Sequence, residues 1–340
     1  MTARVTVILL CCDQQRYVRE AFAALLAQSG APIEIVATDD ASTDATFSVL
    51  QELAAAYRGP HRVVVRRNAA RLGLPGNLNA AVREASGSLI VSSAADDVSR
   101  PDRVETLRQL WSARGTSAVF SEARMMDADG RILGLFAGEG FRPVTAWRDV
   151  LRGALPLFGC SLAFERTLYE VFGPLPDDAH LEDLALGLRA LLMKGVAYTP
   201  EPLVLYRRHD ANYSKDRNYA ARLDRDAYAA YLGGVLLTRA AMQRSFARDL
   251  ATAEAHGLLA SGARERRQTD RRARLLEAGG ELVLGRRSPA AFLRALPSTL
   301  TADQVVQAAK CLLVRAAPGL REWKHKRGDK SAALAGETRG

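Results

Sequence analysis

Residues 4–12 read RVTVILLCC, an unbroken apolar run rich in β-branched side chains. Such a strand needs cover on both faces, which is the situation of a central strand in a parallel sheet. The neighbouring segments supply that cover. RYVREAFAALLAQ (16–28) places Tyr17, Phe22, Leu25 and Leu26 at helical spacing and closes at Ser29-Gly30. IEIVATDD (33–40) is a second strand ending in two aspartates. Ser42 and Thr43 stand where they can cap the next helix, which carries Phe47, Leu50 and Leu53 on one face. HRVVVRR (61–67) is a third strand. A loop with Gly73, Pro75 and Gly76 leads to a short helix, and SLIVSSAADD (88–97) is a fourth strand. This alternation predicts an α/β domain with a mostly parallel sheet flanked by helices.

Further on, SAVFSEARMMDADGRIL (117–133) reads as a β-hairpin turning at Asp129-Gly130. HLEDLALGLRALLMKG (180–195) is an amphipathic helix closed by Gly195, and VAYTPEPLVLYRRH (196–209) is extended and broken by Pro200 and Pro202. Beyond about residue 225 strand signals give way to helical ones, including TADQVVQAAKCLLVRAA (301–317) with Thr301 and Gln304 at capping-box spacing. The expected division is 1–225 for the α/β domain and 226–340 for a basic, mainly α-helical C-terminal region.

Several classes drop out. No apolar run approaches the roughly 18 residues of a membrane-spanning helix, and the first strand lacks the basic start and cleavage site of a signal peptide. The four cysteines form no CxxC pair, which argues against a structural zinc site. Adjacent Cys11 and Cys12 suit strand-end packing, and a reducing cytoplasm is the expected compartment. There is no GxGxxG after the first strand and no GxxxxGK[ST], so dinucleotide and P-loop chemistry lack support.

Two strands end in acid pairs, Asp39-Asp40 and Asp96-Asp97. Ligands of open parallel sheets bind beyond the carboxyl ends of the strands. Clustered carboxylates there are costly without a cation, and magnesium or manganese characteristically bridges one or two of them to substrate phosphates. Taken singly, each pair also reads as solvated turn and cap residues.

VTVILLCCDQQRYVREAFAALLAQ, IEIVATDDASTDAT and RLGLPGNLNAAVREASGSLIVSSAADDVSRPDRVE, in this order, resemble the inverting family 2 glycosyltransferases of the GT-A fold. GCSLAFERTLYEVFGPLP and HLEDLALGLRALLMKGVAYTPEPLVLYRRHDANYS resemble the second half of that domain. The likeness spans roughly residues 3–215 and is to the bacterial subset that builds surface polysaccharides. It implies a nucleotide diphosphate sugar donor, a glycan or lipid-linked saccharide acceptor and a divalent metal, Mn or Mg. By the same resemblance Asp40 meets the nucleobase, Asp96 faces the ribose and Asp97 binds the metal on the diphosphate. Asp183 is the catalytic base with Glu182 beside it, and His209 lies near the diphosphate as a metal ligand. Asn77 and Asn79 line the donor loop, with Asn77 among the donor-binding residues, and Arg207 and Arg208 can pair with phosphate. The first strand departs from the pattern: Leu10, Cys11, Cys12 and Asp13 stand where a TYN- or PYN-like segment usually lines the base pocket. A nucleotidyltransferase on a related fold and a scaffold that lost activity are the rival readings.

The net charge of +9 sits in the C-terminal third, where residues 221–340 hold 22 Lys and Arg against 12 Asp and Glu. RERRQTDRRARLLE (264–277) reads either as a solvated, salt-bridged helix face or as a surface for the anionic inner leaflet of the plasma membrane. Trp323 in REWKHKRGDK (321–330) suits an interfacial anchor. The basic runs lack interleaved aromatics, so no nucleic-acid partner is expected. The expected location is cytoplasmic, peripheral on that inner face.

Overall fold

The computed structural model describes residues 4–177, 181–210, 212, 223–296, 305, 308, 309, 311 and 312. The chain forms two compact units, Met1–Ser214 with Ser245–Arg266, and Lys215–Arg244 with Arg267–Gly340.

The first unit is built on one sheet. Strand β1 (Val5–Cys11) lies between β2 (Glu34–Asp39) and β4 (Leu89–Ala94), parallel to both, and β3 (Arg62–Arg67) extends the sheet parallel to β2. Every residue of β1 is buried, which is why its sequence shows no alternation. Beyond β4 the order continues β8 (Ala163–Glu165), β6 (Ala118–Met126), β9 (Val196–Arg207) and β5 (Val98–Ser99). Strand β8 is antiparallel to both neighbours, so β6 and β9 again point the same way as β1. The carboxyl ends of β1, β2, β4, β6 and β9 therefore share one edge. The expected hairpin is present: β7 (Ile132–Leu135) pairs antiparallel with β6, and Gly130 takes φ 89° in the turn. Strand β9 accommodates Pro202 through register shifts opposite Ser121–Ala123.

Helices α1 (Val18–Leu26), α2 (Thr46–Ala56) and α4 (Arg103–Arg114) cover one core, where Phe22, Leu25, Leu50, Val104 and Leu107 pack on Val7, Leu9 and Val91. Helix α3 (Gly73–Glu84) follows β3, and α5 (Trp147–Val150), α6 (Thr167–Phe172) and α7 (Glu182–Leu192) belong to the second half of the domain. One sequence expectation is corrected. Ser42 and Thr43 do not cap α2: the Ser42 hydroxyl accepts from Asp13 N (2.9 Å), and Thr43 N donates to Asp13 (2.7 Å). The α2 amide of Thr46 donates instead to Asp44 at 2.9 Å. Helix α4 left no periodic signature, because its inward face carries Arg103, a fully buried cation at a core position.

The second unit contains helical residues from α8 (Arg225–Ala255), α9 (Ala263–Val283) and α10 (Pro289–Ala295). Its core joins Leu236, Leu275, Leu282, Val283 and Phe292 with Ala308 and Cys311. Thr301, Gln304 and the segment 321–330 with Trp323 lie outside the described residues.

Candidate functional site

At the end of β2 the acid pair divides. Asp39 is buried, paired with Arg67 at 3.1 Å, and accepts Ser42 N. Asp40 turns toward the loop after β3 and accepts Leu72 N, Gly73 N and Asn68 Nδ2, each at 2.8 Å. Leu72 and Gly73 open α3, so the carboxylate ties down helix-start amides that lack intrahelical partners. A carboxylate offers about four acceptor sites, and three are used. Asn77 is buried behind it, accepting from Thr38 Oγ1 (2.6 Å) and Asn68 Nδ2 (3.0 Å). Asn79 exchanges hydrogen bonds with Leu175. Cys11 is buried in the core, whereas Cys12 is part-exposed with its thiol against Asp40 O. Asp13 (φ 50°) and Ala41 (φ 52°) hold left-handed backbone on either side of this corner, a strain that clusters at ligand sites. Asp13 also pairs with Arg71.

The end of β4 gathers a second cluster. Asp96 Oδ2 faces His209 Nε2 at 3.1 Å and Asn212 Nδ2 at 3.3 Å. Asp97 Oδ1 accepts Arg207 N at 2.9 Å, while its Oδ2 is buried without a partner. Burial, and then the charge of Asp96, push the Asp97 carboxyl well above the ordinary range, against the pull of the Arg207 amide and of Arg103. Arg207 does not present its charge to a ligand. It is 3% exposed, donates to Asp96 O (3.0 Å), pairs with Glu20 and lies over the Tyr17 ring, which in turn meets the His209 ring at 4.8 Å. The sequence reading of Arg207 as a phosphate partner is thereby corrected: β9 delivers it into the interior. Arg103, which sequence reasoning missed, donates to Ser92 O (2.7 Å), Ser99 Oγ (2.9 Å) and Cys160 O (3.2 Å). Burial drags its guanidinium down to about 10.

Glu182 and Asp183 open α7. The helix sits tightly on the segment before Gly159: a Cβ on Gly187 would fall 2.1 Å from Pro156 Cγ, and one on Gly159 would fall 3.0 Å from Glu182 Oε1. Both carboxyls are partly exposed, and burial raises Glu182 to about 8, with the Asp183 charge second, and Asp183 to about 6. The turn Gly159–Ser161 lies between the two acidic groups. Cys160 hands its carbonyl to Arg103, and its thiol feels both Asp97 and Asp183. The fold thus joins Asp96 and His209 directly, with Asp97 the next residue, and the Gly159–Ser161 turn meets Glu182 at Gly159 and Arg103 at the Cys160 carbonyl. Asp40 and Asn77 form their own cluster at the end of β2.

No group of three or more His, Cys, Asp or Glu side chains positioned for a metal occurs among the described residues. The unpartnered Asp97 oxygen nevertheless fits a hard cation, which takes one or two protein carboxylates and completes its shell with phosphate and water. Asp97 Oδ2 is the donor that fits, while His209 Nε2 lies against Asp96 Oδ2.

Residues 6–133 match the family described as Glycosyl transferase family 2. That segment is part of a family 2 glycosyltransferase domain. The glycosyltransferase domain is similar, at 26% identity over 211 residues, to an uncharacterised protein of Mycobacterium tuberculosis, covering 60% of this chain and 59% of that one. The chain thus spans about three fifths of the length of such curated relatives. The succinoglycan biosynthesis protein ExoO of Rhizobium meliloti is 30% identical over 133 residues, 39% of this chain and 37% of its own. Among solved structures, S. aureus TarS 1-349 in complex with UDP-GlcNAc superposes with a TM-score of 0.54 at 13% identity, covering 96% of this chain and 92% of that chain. That likeness is one of fold, and the glycosyltransferase domain has the GT-A architecture.

Proposed function

We infer that the chain transfers a sugar from a nucleotide diphosphate donor to a glycan or lipid-linked saccharide acceptor, with inversion, in cell-surface polysaccharide synthesis. The observation that carries the reading is the buried, unpartnered Asp97 Oδ2 just past the carboxyl end of β4, on the sheet edge that also holds the Asp40 corner. Asp40 and the strained corner at Asp13 and Ala41 hold the nucleobase, with one acceptor site of Asp40 still open. Asn77 supports this corner through Asn68. Asp96 orients the ribose and holds His209. Asp97 and His209 would hold Mn or Mg, which neutralises the departing diphosphate as a Lewis acid. Asp183 takes the proton from the attacking acceptor hydroxyl, and its raised carboxyl is matched to that work near neutral pH. A single base acting in one displacement inverts the anomeric centre, since no carboxylate nucleophile intervenes.

No described helix is long and apolar enough to cross a membrane. Arg267, Arg271 and Arg274 are exposed on one face of α9, which supports docking on an anionic inner leaflet where a lipid-linked acceptor would lie. The test is a screen of UDP- and GDP-sugars with MnCl2 by thermal shift, followed by product analysis. Ligand bound to the native state raises its stability by mass action. Release of nucleoside diphosphate is expected. Release of pyrophosphate would point to the nucleotidyltransferase alternative, and absence of both binding and turnover to a scaffold.

A further inference from the structure

A groove of about 470 Å³ opens on the first unit between the loop Gly138–Pro143 and the starts of β6 and β9. Its wall carries the Phe141 and Tyr198 rings, 5.2 Å apart and crossed at 67°. Exposed Arg114, Glu139 and Arg142 stand on its rim. The wall is fixed from beneath. Glu122, 1% exposed, accepts Ala137 N at 3.0 Å and Gly138 N at 3.1 Å, and its carboxylate reaches Tyr198 Oη at 3.5 Å. A buried charge used this way pre-forms the loop, so a ligand would not have to order it on binding. Phe141 meets Phe158 at 4.9 Å, and Phe158 precedes Gly159, the residue against Glu182 and Asp183.

We propose that this groove binds the non-reacting part of a saccharide acceptor against the Phe141 and Tyr198 rings, on the same unit as Asp183. The inference rests on the transferase reading and names where its acceptor lies. The chemistry selects a sugar. Pyranose rings present C–H faces that lie on aromatic rings and hydroxyls that reach carboxylates and guanidinium groups. A lipid chain would leave Glu139 and the arginines unused. Apolar walls with a few placed polar groups are the general form of a small-ligand site.

The test uses the full-length protein on an array of immobilised defined oligosaccharides, with UDP and GDP binding in MnCl2 measured in parallel by calorimetry. Wild type is expected to retain a subset of saccharides. Phe141→Ser and Arg142→Ala are expected to weaken retention at least tenfold with nucleotide affinity unchanged, and Tyr198→Phe, which keeps the ring, to preserve most of it. Should Phe141→Ser fail to fold by circular dichroism, exposed Arg142 and Arg114 carry the test alone. Retention unchanged in the folded variants, or no saccharide retained by wild type, overturns the proposal. Saccharide retention without any nucleotide binding would sustain the groove and sink the transferase reading instead.

Discussion

Arg189 and Asp249 form a two-pronged ion pair, at 3.0 and 3.1 Å, with side chains only 1% and 3% exposed. The pair ties α7, whose first residues are Glu182 and Asp183, to the far end of α8. Arg189 also donates to Gly173 O at 2.8 Å, so one guanidinium joins three segments around the helix of the acid pair.

Removing one partner leaves an uncompensated buried charge. Asp249→Ala should cost about 3–5 kcal/mol of stability, read from urea unfolding. The double variant Arg189→Met with Asp249→Leu should recover most of that loss, since apolar residues of similar volume fill the space without a charge to desolvate. A double variant as unstable as the single would show that the arginine's other hydrogen bonds, not its charge, hold the segment.

Asp97→Asn keeps the shape and removes the charge that a cation needs. Calorimetry with UDP or GDP should lose its manganese dependence, and the melting temperature at neutral pH should hold or rise, because burial already opposes ionisation here. Unchanged manganese-dependent affinity would exclude Asp97 as a ligand.

Asp183→Asn should lower transfer by roughly 10²–10⁴ while donor affinity changes little. The loss should fall on kcat, since the interaction is made chiefly in the transition state. Glu182→Gln is the comparison and should cost less. The opposite ranking would reassign the base to Glu182.

The pH behaviour follows from the raised carboxyl. A base titrating at about 6 must be ionised to work, so transfer should climb through pH 6 and level above it. For stability the sign is reversed. An acid raised from 3.8 to about 6 on folding contributes its stability fully below 3.8 and loses it as pH rises through 6. Asp183→Asn should therefore out-melt wild type at pH 8, by on the order of 1 kcal/mol given the partial exposure, and lose that advantage near pH 4.

The membrane reading makes a separate demand. Replacing Arg267, Arg271 and Arg274 with Ser should weaken binding to phosphatidylserine vesicles by about 1 kcal/mol per residue, and salt should weaken wild-type binding too. Equal binding to neutral and anionic vesicles would leave the α9 arginines a solvated face.

Much of the sheet was legible because its information is local. The run Val5–Cys11 has to be buried on both sides, and IEIVATDD and SLIVSSAADD end in carboxylates where parallel strands end in ligand sites. The hairpin at Gly130 and the end of α7 before Gly195 were equally local, since each needs the left-handed backbone that glycine adopts freely. Helix α4 was not legible, because periodicity cannot reveal a helix whose core position is an arginine.

What tertiary structure alone decided is how the polar groups are spent. In sequence Arg207 and Arg208 look like exposed cations, yet β9 turns Arg207 beneath Tyr17 and against Asp96 and Glu20. Asp39 and Asp40 are adjacent, yet one is neutralised in the interior by Arg67 and the other ties down the start of α3. Hydrophobic pattern is written residue by residue, because burial acts on each side chain through its own surface. Which donor satisfies which buried acceptor depends on partners 28 to 187 residues away, brought together only when the strands take their places in the sheet.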